Sequence, residues 1–148
     1  MIRTIFDPKV RADLVRRVNS LSPGSGRQWG SMTVGQMLVH TTGQLRIGLG
    51  ELKVQPRRLP LRYPPLRQLI VYLLPFPRGV PTAPELRDPE AGDWDADRAA
   101  LLAAAERFAV RKSQARWPHH PAFGALSRRA WGVLAYRHLD HHLRQFGA

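Results

Sequence analysis

The residues best able to do chemistry in this 148-residue chain are its six histidines, three of which stand together near the end. His138, His141 and His142 fall in the stretch SRRAWGVLAYRHLDHHLRQF, residues 127–146. Trp131, Leu134, Ala135, Leu139, Leu143 and Phe146 recur there at helical spacing, which predicts an amphipathic helix. Residues four apart on a helix share a face, so His138 and His142 point at one spot, with His141 beside them. Two imidazoles on a core-facing side require an account. Either they are hydrogen-bonded core residues, or they are two ligands of a metal that another element completes.

A second element offers the missing ligand. Residues 33–50, TVGQMLVHTTGQLRIGLG, carry His40 on or beside an apolar side made by Met37, Leu38, Thr41 and Leu45. His40, His138 and His142 could present three nitrogens to one divalent ion. Zinc or nickel accepts such ligands at about 2.0–2.1 Å and leaves a position for water or substrate. Three neutral ligands leave the ion's charge uncompensated, which acidifies bound water and attracts an anionic substrate. His-x-x-x-His alone is a common spacing, however. Leu139 stands where the zincin arrangement His-Glu-x-x-His needs its glutamate, so the site is not of that kind. The residues by themselves leave metal ligation and packed core histidines equally open.

Other candidates are weaker. His119 and His120 are adjacent and flanked by prolines, which predicts surface or loop-packing roles. Asp93, Asp95 and Asp97 lack the spacing of a calcium loop and suit the start of a helix. Cysteine is absent, which excludes disulfides, thiolate nucleophiles and cysteine-based zinc sites. That composition fits a reducing cytosol, and the N-terminus lacks the apolar run of a secretory signal, so a cytoplasmic location is expected. The longest strongly apolar run, LIVYLLPF at residues 69–76, is too short to span a membrane. The 23 Lys and Arg against 11 Asp and Glu give a net charge of +12. Such a charge attracts nucleic acid, anionic surfaces or small anions without choosing among them, and a basic surface with no partner is the leading account.

The elements that must position the histidines can be read in order. Asp7-Pro8 starts a helix running to about Asn19, with Val10, Leu14 and Val18 on one stripe. A turn-rich connection follows, in which Trp29 is expected to pack over the end of the domain, with an exposed ligand-binding aromatic as the lesser alternative. Thr33 and Gln36 form a capping box for the next helix, with Met32 and Met37 at the staple positions. Gly35, Gly43 and Gly48 lower its propensity but admit another element or a ligand close by. Residues 51–93 form a long proline-rich crossover whose piece 66–74 can hold two helical turns or lie extended. It carries Lys53, Arg57, Arg58, Arg62, Arg67 and Arg78 with no acidic residue between Leu52 and Pro84. A solvated basic connection leads there, with a platform for an anion as the functional version. A third helix is predicted over 93–112, on Leu101, Leu102, Ala105 and Phe108, and Ser127 starts the last. The count predicts an all-α four-helix bundle with a long proline-rich crossover, in a single domain spanning residues 1–148.

Two stretches carry a resemblance: RQWGSMTVGQMLVH, residues 27–40, and HPAFGALSRRAWGVLAYRHLDHHLRQFG, residues 120–147. They resemble a small branch of the DinB-like, or YfiT-like, superfamily, bacterial proteins of the domain-of-unknown-function 1569 type. The likeness spans the chain and is weakest through the crossover. It implies a helical bundle with one metal ligand on the second helix, at His40, and a ligand pair on the last, at His138 and His142. His141 falls on a frequent companion that is not a ligand. Gln36, Gln145 and His141 could orient ligand rings or carry protons, since ligand imidazoles usually need a partner. Asp140 should face elsewhere and make a surface salt bridge.

Fold does not fix function. Characterised relatives in the superfamily include thiol-dependent S-transferases and a mycothiol-dependent maleylpyruvate isomerase. The resemblance therefore implies a metal-dependent thiol S-transferase or hydrolase acting on a small, anionic substrate, with a low-molecular-weight thiol as a cofactor and arginines holding its carboxylates. A metal-stabilised structural protein without turnover ranks second. A basic nucleic-acid-binding protein ranks third, because the aromatics do not interleave with the cationic crossover. A homodimer is an expectation only.

Overall fold

Each long helix begins where the sequence supplies a side chain to satisfy its free amides. Asp7 accepts from the Lys9 N–H at 2.8 Å and Pro8 opens α1, Pro8–Ser20. Thr33 and Gln36 bond reciprocally across the start of α2, Val34–Gly48, at 3.1 and 2.9 Å. The capping box is therefore as expected from the sequence. The computed structural model describes every residue except 77, 79–83 and 114–115. Pro77 and Pro81, two of the crossover prolines, lie outside the described residues.

Five α-helices are described, which corrects the expectation of a four-helix bundle. The extra one, α3, is a single turn at Leu66–Gln68 that runs on as a π-helical turn over Leu69–Leu73. It forms because Val71 buries completely and because Arg137, far along the chain, supplies hydrogen bonds to the turn's last carbonyls. Pro75 then holds Leu74 extended and stops the helix. Short 3-10 turns at Pro60–Arg62, Pro84–Leu86 and Arg111–Ser113 complete the helical pieces.

Helix α4, Trp94–Val110, is capped by Asp93, which accepts from the Ala96 N–H at 2.9 Å. Asp97 accepts from the Gly92 N–H and Asp95 pairs with Arg98, so all three aspartates serve the helix start. Helix α5, Arg128–Gln145, starts at Ser127, whose hydroxyl accepts from the Ala130 N–H. The architecture is all-α, and among the described residues the sole β feature is an isolated bridge between His120 and Gly124. No helix among them is long and apolar enough to cross a membrane.

Helix α2 packs on α4 and α5, and α1 packs on the same two. The main core joins Met37, Leu38 and Leu45 of α2, Leu101 and Phe108 of α4, and Leu139 and Leu143 of α5. A smaller cluster gathers Val71, Phe123, Ala130 and Leu134, with Leu61, Ile70 and Phe76 against it. The crossover thus has an apolar footing of its own on α5. Its arginines brace it as well. Arg62 donates to the Arg57 carbonyl and Arg67 to those of Arg62 and Ala125.

Asp140 departs from its expected place at the surface. Only 16% of its side chain is exposed, and it pairs with Arg17 of α1 at 2.7 Å and with Arg144 at 3.0 Å. Arg17 also donates to the Ala148 carbonyl, so one half-buried ion pair fastens α1 to the last helix and its tail.

Candidate metal centre

Between the two apolar clusters lies a cavity of about 710 Å³, and His40, His138 and His142 form part of its wall. The ligand-capable nitrogens of the three histidines all lie within 4.8 Å of one another. Helix α5 supplies two of them through its i,i+4 spacing, and α2 brings the third across the interface.

The ring orientations follow from backbone carbonyls. His40 Nδ1 lies 3.1 Å from the Leu86 carbonyl, an acceptor only, so Nδ1 carries the proton and Nε2 presents a lone pair. Gln145 Nε2 donates to the Trp29 carbonyl at 2.8 Å, which leaves Gln145 Oε1 as the atom facing His142 Nδ1, also at 2.8 Å. His142 Nδ1 is therefore a donor, and its Nε2 is free to bind. His138 Nε2 stands 3.2 Å from His40 Nε2.

For these two rings that separation fits a shared ion. Two nitrogens at about 2.0–2.1 Å from one tetrahedral zinc are about 3.3–3.4 Å apart, the edge of the tetrahedron. Carbonyl and amide partners on the far side of ligand imidazoles are the usual way such rings are held. The cluster is capable of coordinating a metal ion.

Electrostatics suit the same role. Burial depresses the proton affinity of all three rings. His142 is lowered to about 3, by burial first and by His40 second. His138 falls well below the ordinary imidazole value through burial and then through His142 and His40, and His40 is lowered chiefly by burial. The imidazoles are neutral near pH 7, which is the form that binds metal.

Glycine at position 43 favours the close packing beside His40. A Cβ there would lie 2.4 Å from Leu86 Cδ2, so glycine lets the Pro84–Leu86 turn sit against α2, with its carbonyl at His40, without the Leu86 side chain moving aside. Gly30 has the corresponding role for His142. Its φ is +81°, and a Cβ would lie 2.5 Å from Gln145 Nε2.

Among the remaining residues singled out from the sequence, Gln145 meets the site and Gln36 does not. Gln36 gives its carbonyl oxygen to the Thr33 N–H in the helix cap and is not part of the cavity wall. His141 lines the cavity, ring to ring with His142 at 5.1 Å and with Phe76 at 6.1 Å. Burial, and after it Arg78, lowers its proton affinity. Trp29 lines the cavity, with its ring edge-on to His141 at 5.6 Å and Arg78 4.1 Å above it.

The family model described as "Protein of unknown function (DUF1569)" matches residues 11–148. The chain belongs to that family. Membership in DUF1569 is consistent with the DinB-like branch that its two motifs resemble. All three clustered histidines of this DUF1569 chain lie within the matched span. Comparisons with curated proteins and with solved structures gave no match.

His120, a weaker candidate in the sequence, is the residue that the structure adds to the cavity. It lines the same cavity, although it sits in the loop before α5. The signal was its place four residues before Gly124, with which it closes a tight turn.

Proposed function

We propose that this protein is a metal-dependent enzyme acting on a small molecule bound in the cavity. The observation that supports this most is the placing of three neutral histidine nitrogens, within 4.8 Å of one another, on the wall of a cavity of about 710 Å³. Structural zinc sites close four protein ligands around the ion, whereas catalytic ones use three and leave a position open. Three histidines beside a void match the second pattern. The cavity size is that of a small-molecule site.

His40, His138 and His142 would hold the ion, with zinc or nickel suited to an all-imidazole set. Such an ion supplies Lewis-acid chemistry, acidifying a water or a thiol and polarising a carbonyl. The chain's own residues do the rest. Gln145 fixes the His142 ring, and the Leu86 carbonyl fixes His40. His141 is positioned to take a proton from a bound nucleophile, being neutral and next to the cluster. The walls set the substrate class. Leu59, Leu61, Ile70 and Phe123 favour an apolar body, while Arg57 and Arg87, two cations against the single lining carboxylate of Asp88, favour an anionic end. S-transfer from a low-molecular-weight thiol and hydrolysis both fit these requirements.

Elemental analysis of untagged protein, with His40→Ala and His138→Ala alongside, tests the site. About one zinc or nickel per chain is expected in the wild type, and little in either variant while helicity remains. A folded wild type that takes up no metal even after reconstitution would sink the three-ligand reading. Metal whose removal lowers stability, with no turnover of any thiol or ester tried, would favour a structural role.

A further inference from the structure

His120 sits in a turn that fixes which of its nitrogens carries the proton. Its backbone N–H donates to the Gly124 carbonyl at 2.8 Å, and the Gly124 N–H returns the bond at 2.9 Å. Inside this turn, His120 Nδ1 accepts from the Ala122 and Phe123 N–H groups at 3.1 and 3.2 Å. Two donors aimed at one ring nitrogen require a lone pair there, so the proton resides on Nε2. The ring is clamped between Phe123, at 5.0 Å, and Trp131, at 5.3 Å. Trp131 is itself anchored through its indole N–H to the Pro118 carbonyl. The crossover locks the turn from outside, because the Arg57 N–H donates to the Pro121 carbonyl at 2.8 Å.

Nε2–H is left without a partner among the described residues, yet it is not sealed in the interior as Trp117 Nε1 is. His120 is part of the cavity wall, which also carries the three clustered histidines and Arg57 and Arg87. A rigidly held N–H donor on a residue that lines a largely apolar cavity is the kind of polar group that orients a ligand. Burial keeps His120 neutral, with its proton affinity lowered to about 4, so the donor persists across the physiological range.

We propose that His120 is a binding residue whose Nε2–H donates a hydrogen bond to a carboxylate oxygen of a small, largely apolar molecule held in the cavity. The inference rests on the reading of this cavity as a substrate site, but it does not require the metal. Chelator-treated protein therefore tests it separately from the metal centre.

Benzoate, a small apolar carboxylate, is a suitable probe. In the metal-free wild type, long-range proton–nitrogen spectra should show His120 as the Nε2–H tautomer, and benzoate should move that nitrogen resonance. His120→Asn separates binding from folding. An asparagine carbonyl at 120 can still accept from the Ala122 N–H and keep the turn, but its side chain is too short to donate into the cavity. The variant should retain the wild-type melting temperature within a few degrees and bind benzoate at least about tenfold more weakly, the equivalent of one lost hydrogen bond to a charged group. Benzoate binding that leaves the His120 resonance unmoved, equal affinity in a folded His120→Asn, or no benzoate binding at all would overturn the proposal. Should the variant not fold, the wild-type spectra decide alone. Failure of zinc uptake would leave every one of these readouts unchanged.

Discussion

Gln145 and Trp29, 116 residues apart in sequence, are joined by a hydrogen bond from the glutamine amide to the tryptophan carbonyl at 2.8 Å. That bond decides how the amide of Gln145 is turned, and hence which nitrogen of His142 is offered to the cluster. It passes beside Gly30, where a left-handed backbone and a missing Cβ leave room for the amide. Gly30→Ala would therefore add strain of about 1–2 kcal/mol at the left-handed backbone and push Gln145 aside. Gly30→Ala and Gln145→Ala are each expected to weaken zinc binding about 10–100-fold, as loss of a ligand's hydrogen-bond partner usually does. Gly26→Ala, where an added Cβ meets nothing within 4 Å, is the matched control. Competition titration with a chromogenic chelator measures all three.

At His40 the same logic runs through packing. Gly43→Val would drive two methyl groups into the space that Leu86 occupies and shift the carbonyl that orients the ring. A loss of about 1–3 kcal/mol in urea unfolding is expected from overpacking, together with weaker zinc binding. Normal zinc affinity in a destabilised variant would separate the Pro84–Leu86 turn from the site.

The pH dependence follows from burial. His120 and His142 have folded-state values of about 4 and about 3, and His40 and His138 are lowered as well. The unfolded chain takes up protons near pH 6.5 that the native state refuses, so stability is retained above about pH 6.5 and lost as pH falls toward 4. Between pH 6.5 and these folded-state values, the expected slope in metal-free protein is about 1.4 kcal/mol per pH unit for each of His120 and His142, with His40 and His138 adding in the same direction. Zinc binding at pH 6.5 should release few protons, against about 1.5 for three imidazoles of ordinary affinity. Calorimetry in buffers of different ionisation enthalpy counts them, and a release near 1.5 would show that the rings are not held neutral.

Arg137 couples the crossover to α5 one residue before a clustered histidine. Its guanidinium donates to the Ile70 and Val71 carbonyls at 2.6 and 2.7 Å and also to that of Leu74. Arg137→Ala leaves these carbonyls without their donor and is expected to cost about 2 kcal/mol. Hydrogen exchange should rise first over residues 66–74, while α1 and α4 keep their protection. Uniform loss of protection would mean that the crossover is not a separate unit.

On the far side of α5, Asp140→Asn removes the nearer of the two carboxylates paired with Arg17 and leaves it Asp13 at 3.8 Å. About 1–2 kcal/mol of stability should be lost, with zinc affinity unchanged. A drop in both would mean that α5 responds as one rigid piece.

What the sequence determined by itself was local. Asp7, Thr33, Asp93 and Ser127 cap helices because each side chain reaches amides two or three residues ahead, a geometry that spacing alone specifies. The pairing of His138 with His142 came from the same source, since the helix repeat puts them on one face. Tertiary structure decided whatever depends on residues far apart in the chain. The 66–74 piece became helix because Arg137 and the Val71 pocket stabilised it, and no local pattern carried that information. The ring tautomers of His40 and His142 were set by the carbonyls of Leu86 and Trp29, which lie on other segments. Asp140 left the surface for Arg17, and Gln36 stayed with its helix cap. His120 reached the cavity wall because the crossover and α5 close around its turn, a contact made only when segments distant in sequence meet in space.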